Sequence, residues 1–291
     1  MAINLGVRKD SEVNETININ SNENLITLAD GRVYLKGGVT EADIATYPDA
    51  TAVLGYSGTN FNVGSQDAIP TDITWDGTHF WVSGNTNDRV YKYNASGVYQ
   101  NVNWSTASQD SQPRGLTWDG THFWIVGTVT DRAYKYNAAG VYQNVSFTIT
   151  ESGETTCQGI AWDGTYFYIA ARSTQSIHKY SASGVYQSAF TTSSQDIEPA
   201  GITWDGTDLW VVGEVSRTVY KYNTSGVYQN VSFSVATQET APSGVASVGS
   251  AFWVVGSTSD AAYKYAPQIG VNTNGSASQI AEGLQNYVRI K

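Results

Sequence analysis

Four aspartates of this chain stand in one recurring phrase, between a tryptophan and a glycine: Asp76, Asp119, Asp163 and Asp205. Evenly placed carboxylates could ligate calcium. An Asp-Gly pair between apolar runs is also a hairpin turn by its own chemistry, because glycine tolerates positive φ and the aspartate bonds nearby backbone. The turn reading needs no ion and is the stronger. His79 and His122 follow two of these turns, whereas Tyr166 and Asp208 fill the same slot after the other two. That substitution pattern suits exposed strand starts better than metal ligands. His178 takes the slot of Tyr91 and Tyr134, and Cys157 takes that of Pro113, Pro199 and Pro242, with no activating base evident. Three histidines, none outside this frame, suggest no Ser-His-Asp constellation. Asp72 is the one acid where other copies carry Gly115, Gly159, Gly201 and Gly244. One acid makes no catalytic site. The expectation is no enzyme, no cofactor and no metal.

The frame holding these residues is a repeat. Trp75, Trp118, Trp162 and Trp204 are spaced by 43, 44 and 42 residues, and Ser247 holds the slot 43 residues later. Each copy divides into four short apolar runs. In one of them Gly115 to Trp118 ends at Asp119-Gly120, Phe123 to Val126 follows, and Ala133 to Tyr136 leads through Asn137-Ala-Ala-Gly140 into Val141 to Phe147. Turn residues between β-branched and aromatic runs predict four antiparallel strands. A period of about 40–50 residues with several strands per unit predicts a β-propeller. The fold class is all-β.

The last copy, Gly244 to Ala266, has three strands and breaks at Pro267. Tyr56 to Pro70 aligns without gaps on Tyr99 to Pro113, placing Phe61 on Trp104 and Gln66-Asp67 on Gln109-Asp110. This predicts five blades, closed by an N-terminal strand that leaves no open edge. The competing arrangement draws the fourth strand from Ile269-Gly-Val. The propeller then spans 51–266, between two short β-rich attachment segments at 1–50 and 267–291. The first contains a hairpin from Leu25 to Lys36 centred on Asp30-Gly31, and the second a strand at Asn286 to Lys291. Neither can build a core alone, so they pair with each other, with the ring or with further copies.

In a four-stranded meander, the first-to-second and third-to-fourth turns share one end. That face hardly varies. The other face carries the second-to-third loops and the crossings, which differ in every blade. Its candidate ligand-binding residues are Asn85, Asn87, Asp88, Arg89, Asp131, Arg132, Gln175, Glu214, Arg217 and Asp260. Amides, carboxylates and guanidinium groups beside aromatic rings can bind sugar hydroxyls and sugar faces. Loops on a rigid scaffold are where binding residues concentrate. Trp81, Trp124, Tyr168, Trp210 and Trp253, with Tyr93, Tyr136, Tyr180, Tyr222 and Tyr265, recur as core. Lys92, Lys135, Lys179, Lys221 and Lys264 read as architectural.

The chain has 291 residues, with net charge −10, pI near 4.7 and one cysteine. The charge argues against nucleic acid, which demands clustered Lys and Arg. No run of 18 apolar residues suggests a membrane span. The start lacks the apolar stretch of a signal peptide, and a lone cysteine fits synthesis in a reducing cytoplasm.

Two resemblances follow. Pro199-Ala-Gly-Ile-Thr-Trp-Asp-Gly, Leu209-Trp-Val-Val-Gly and Val219-Tyr-Lys-Tyr-Asn resemble the NHL class of propeller repeats, over about three quarters of the chain. Leu28-Ala-Asp-Gly-Arg-Val-Tyr-Leu-Lys-Gly-Gly-Val, running to Tyr47-Pro-Asp-Ala, resembles N-terminal segments of bacteriophage tail-fibre and related virion proteins, and Tyr287-Val-Arg-Ile-Lys is similar in kind. That resemblance implies a virion structural protein made in the host cytoplasm, with the N-terminal part attached to other tail proteins, often as a trimer. The distal domain would contact a host-surface glycan or protein. The alternative is a lectin-like propeller unrelated to a virion. A lectin with one equivalent site per blade should repeat its loop residues, and these loops do not repeat.

Overall fold

The computed structural model describes residues 3–8, 14–19, 24–27, 33–36, 50–149, 153, 156–271 and 287–289. Every regular element among them is a strand. No helix among the described residues is long and apolar enough to cross a membrane. The chain forms two compact units, Met1–Ser57 with Pro267–Lys291, and Gly58–Ala266.

The second unit is a five-bladed propeller. Blade 1 is Pro70–Trp75, Phe80–Gly84, Arg89–Tyr93 and Tyr99–Ser105. Blade 2 is Pro113–Trp118, His122–Gly127, Arg132–Asn137 and Tyr142–Thr148. Blade 3 is Cys157–Trp162, Tyr166–Ala171, Ser176–Ser181 and Tyr186–Thr191. Blade 4 is Pro199–Trp204, Leu209–Gly213, Thr218–Tyr222 and Tyr228–Ser234. Blade 5 takes Pro242–Val248, Ala251–Gly256 and Ala261–Val271 from the end of the array, and its outermost strand, Ala50–Asn62, from before blade 1. Every blade is antiparallel in simple meander order.

The five-blade closure is therefore as the gap-free alignment predicts. Pro267 does not end the third strand of blade 5, which runs on to Val271 and so absorbs Ile269-Gly-Val. A proline lacks only its N–H, and a strand tolerates it where no ladder bond is required.

Each blade packs through its second strand. Trp81 meets Phe123 at 4.7 Å between ring centroids, Trp124 meets Phe167 at 4.8 Å, Trp210 meets Phe252 at 4.5 Å and Phe80 meets Trp253 at 4.9 Å. Blades 3 and 4 join through Tyr168, Leu209 and Tyr222 instead. Such aromatic pairs are worth about 0.5–1.5 kcal/mol each beyond the area they bury. The recurring tryptophans and tyrosines are core, as expected. The lysines pack on aromatic rings, and Lys221 also makes an ion pair with Asp208 of its own blade at 2.9 Å. Lys92, Lys135 and Lys221 lie over the rings of Trp81, Trp124 and Trp210 at 5.2, 5.5 and 5.5 Å, and Lys179 over Tyr166 at 3.9 Å.

The outer strands lock under the next blade's third-to-fourth turn. A Cβ at Gly140 would lie 2.1 Å from the Trp104 ring, and one at Gly97 would lie 2.3 Å from Phe61. Both glycines have positive φ, so turn geometry and close approach both demand glycine. Phe61 thus does for blade 5 what Trp104 does for blade 1.

Near the axis the inner strands nearly touch. A Cβ at Gly159 would sit 2.9 Å from the Cα of Gly201, and one at Gly201 would sit 2.6 Å from the Cα of Gly244. Asp72 occupies the fifth place in this glycine ring and is fully buried. Its carboxylate accepts the N–H of Ile73 and, across the blade boundary, that of Leu116, both at 2.8 Å, with Val245 of blade 5 also bonded to it. One side chain therefore clasps three blades. Burial pushes its pKa well above the usual carboxylate range, against the lowering effect of those N–H groups.

In the other unit, Asn24–Thr27 pairs with Val33–Lys36 and Tyr287–Arg289 pairs with Val33–Lys36 on its free side, giving a three-stranded sheet from both chain ends. The hairpin about Asp30 is as predicted, though its loop lies outside the described residues. Ile3–Arg8 and Asn14–Ile19 form a separate antiparallel pair.

Candidate functional site

The four Asp-Gly turns are closed by their own carboxylates. Asp76 Oδ1 accepts from the backbone of Thr78 and His79, at 2.7 Å each, and Oδ2 from the Trp81 indole at 2.7 Å. Asp119 and Asp205 repeat the pattern with Trp124 and Trp210, and Asp163 repeats it with the Tyr168 hydroxyl. These oxygens face N–H and O–H donors, which is the opposite of what a cation requires.

On the variable face the ten predicted residues occupy five separate turns. Asp88, Asp131, Gln175, Arg217 and Asp260 are equivalent, each in the left-handed region with φ between 49° and 53°. Each carbonyl accepts the N–H that follows its blade's outer strand: Thr106, Ile149, Thr192, Val235 and Val63, at 2.8–2.9 Å. Their backbone role is set by the turn. Arg89 donates to Asn103 at 2.6 Å, and Arg132 to Thr148 and Ser146 at 2.7 Å each, both along their own blade's outer strand. Asn87 donates its backbone N–H to Asp67 and its side-chain amide to the Gln66 carbonyl. Asn85 donates its backbone N–H to the Ile69 carbonyl. Glu214 makes an ion pair across a blade boundary, with Arg172 at 2.9 Å, and Arg172 also contacts Glu198.

The crossings that share this face are scaffolding. Asp67, Asp110, Asp196 and Glu239 each accept N–H groups from the next second-to-third loop, at Thr86 and Asn87, Thr130, Ser216 and Ser259 respectively. The glutamine before each takes a tyrosine hydroxyl: Gln66 from Tyr93, Gln109 from Tyr136 and Gln195 from Tyr222, all at 3.1 Å. Burial pushes the ionisation of these three tyrosines well above the usual phenol range. At the axial mouth of this face stands Arg114, half-buried, its Nε without an acceptor. Burial lowers its pKa, while Glu214 works in the opposite direction and Arg172 adds to the lowering.

The other axial mouth holds a funnel of about 350 Å³. Trp75, Trp118, Trp162 and Trp204 line it, each half-buried. Three of the indoles are held from behind by the next strand's phenylalanine: Trp75 by Phe80 at 4.6 Å, Trp118 by Phe123 at 4.5 Å and Trp162 by Phe167 at 4.4 Å. One residue deeper along the inner strands lie Thr74, Thr117 and Thr203, with Ala246 in blade 5. Thr74 and Thr117 are 9% and 8% exposed, and their hydroxyls meet no partner among the described residues. Thr203 accepts the Ser247 N–H at 3.2 Å. Where four blades raise an indole, blade 5 has Ser247, so the wall is low on one side.

The lining carries hydroxyls but no imidazole, thiol or amine beside them. The ionisable residue of the lining is Asp119, whose oxygens already take Thr121, His122 and Trp124. The arrangement offers flat apolar faces and hydroxyls, which suits binding. In the sequence these tryptophans serve as markers of the repeat and the threonines as a poor place for catalysis. A tryptophan before an Asp-Gly turn that does not itself need one was the available signal.

No protein-family model matches the chain, and no curated protein matches it. Among solved structures, glutaminyl cyclase from Myxococcus xanthus is similar, with TM-score 0.58 and 10% identity over 74% of this chain and 97% of that one. Virginiamycin B lyase from Staphylococcus aureus is 15% identical, with TM-score 0.45, over 87% and 85%. At such identities the likeness is one of fold. The cyclase is an enzyme by name, so this architecture is compatible with catalysis, and a non-catalytic role has to rest on the funnel's own chemistry.

Proposed function

We propose that this protein is a non-catalytic appendage of a bacteriophage particle, a tail-fibre or tail-tip component whose ring recognises the host surface. The observation that supports recognition over catalysis is the funnel: indole faces and free hydroxyls, with its one carboxylate spent on three donors. The attachment role draws on the leader and the closing strand, whose Val33–Lys36 and Tyr287–Arg289 segments pair in one small sheet. Those are the segments that resemble virion proteins. In this proposal the partners are other tail proteins and a host-surface glycan, with the trimer of the tail-fibre resemblance.

The purified full chain, added in excess to host cells, should block adsorption of the particle. Unchanged adsorption at saturating protein would reject the role in host contact. A lectin with no virion link is supported by the same funnel, and it predicts binding to glycans without any effect on adsorption.

A further inference from the structure

We propose that the axial funnel binds one neutral pyranose, the terminal residue of a glycan chain that leaves the ring over Ser247. This rests on the reading of the ring as a glycan-recognition module, and it names the site and the ligand class. Four observations carry it. The first is the wall: Trp75, Trp118, Trp162 and Trp204 present half-buried indoles, which stack on the C–H faces of a sugar ring. The second is the floor: Thr74 and Thr117 line the funnel, and their hydroxyls have no partner among the described residues. An apolar ligand would cover these hydroxyls without bonding them, which is costly. Sugar hydroxyls, which both donate and accept, would satisfy them.

The third observation is charge. No lysine, arginine or histidine lines the funnel, and the Asp119 oxygens are occupied, so a uronate or sialate carboxylate would be desolvated against nothing. The fourth is the gap. Blade 5 substitutes Ala246 for the threonine and Ser247 for the tryptophan, lowering the wall on one side only. A volume of about 350 Å³ lies at the small end of ligand pockets, about 300–1,000 Å³, and suits one end residue with its chain outside. The funnel lies on the axis, so one ring takes one ligand. The five-site arrangement of a lectin with one pocket per blade does not apply.

The test titrates the full chain with glucose, galactose, mannose and N-acetylglucosamine, following tryptophan fluorescence and heat. At least one should bind with a Kd of about 1–10 mM, weak but saturable, and with a stoichiometry of one. Thr117→Val keeps the shape and removes the hydroxyl, and should weaken binding about five- to tenfold. Ser247→Trp raises the low wall and should weaken a disaccharide more than the monosaccharide. Unchanged thermal melts show that both variants fold, and the Thr117→Val result stands alone where the larger side chain disturbs the ring. The proposal is overturned by no response to any neutral sugar, by tighter binding of glucuronate or free indole, by five equivalent sites, or by affinities indifferent to both substitutions. A silent titration with adsorption still blocked would sink the funnel alone. Sugar binding with no block would sink the virion role alone.

Discussion

Phe61→Ala tests ring closure at its weakest covalent point, where the last blade borrows its outer strand from the other end of the array. The Phe61 side chain is 7% exposed and packs against Phe80, Tyr93 and Trp253, with ring centroids 5.4, 5.3 and 5.2 Å away. Removing a buried phenylalanine costs about 3–5 kcal/mol, because the cavity adds to the lost transfer energy. A domain's whole stability is about 5–15 kcal/mol, so this is a large share. With a urea slope of about 2–3 kcal/mol/M, a loss near 4 kcal/mol lowers the unfolding midpoint by about 1.3–2 M. Val98, 57% exposed on the turn that covers Phe61, is the control, and its alanine variant should stay within about 0.5 kcal/mol of the parent. Native-state hydrogen exchange then locates the damage. Protection should fall in Ala251–Gly256 and Phe80–Gly84, the strands on either side of the seam, before it falls in Tyr166–Ala171 across the ring. A cost under about 1 kcal/mol, or loss of protection spread evenly over all blades, would refute closure through this strand.

Three further outcomes follow from the centre and the faces of the ring. Asp72 has a raised folded-state pKa, so the folded state holds its proton more tightly than the unfolded chain; its contribution is largest in acid and declines as pH rises above about 4. Thermal melts across this range should show a falling component that Asp72→Asn abolishes, and a parallel profile in both proteins would contradict the assignment. Gly159→Ala puts a Cβ 2.6 Å from the Ala200 carbonyl oxygen, a backbone atom that cannot step aside, so it should cost more than about 1 kcal/mol in a urea melt. Arg114→Met removes a half-buried guanidinium nitrogen that lacks an acceptor, so it should leave stability unchanged or raise it by up to about 1 kcal/mol; a destabilisation of several kcal/mol would show that Arg114 is paired in solution.

The architecture was legible because its determinants are local and repeated. Asp119-Gly120 and Asn137 to Gly140 announce their turns by residue type alone, and Phe61 on Trp104 identifies the closing strand by register. Pro267 misled because a proline reads as a stop, whereas a strand ends only where the missing N–H is needed. The crossings hid their role differently. Gln109 and Asp110 are polar groups on a variable face, and nothing local says that one meets the Tyr136 hydroxyl and the other the Thr130 backbone. The funnel was least visible of all. Thr74, Thr117 and Thr203 lie far apart in the chain and come together only when the ring closes, and a repeated tryptophan looks alike whether it fills a core or rims a pocket.

The measurement that bears most directly on the proposed role is immunogold labelling of purified particles, with antibody raised against the full chain and peptide identification from the same preparation. Label confined to the tail, with peptides from both the leader and the ring, is the predicted result. Intact particles that carry neither label nor peptides would contradict it.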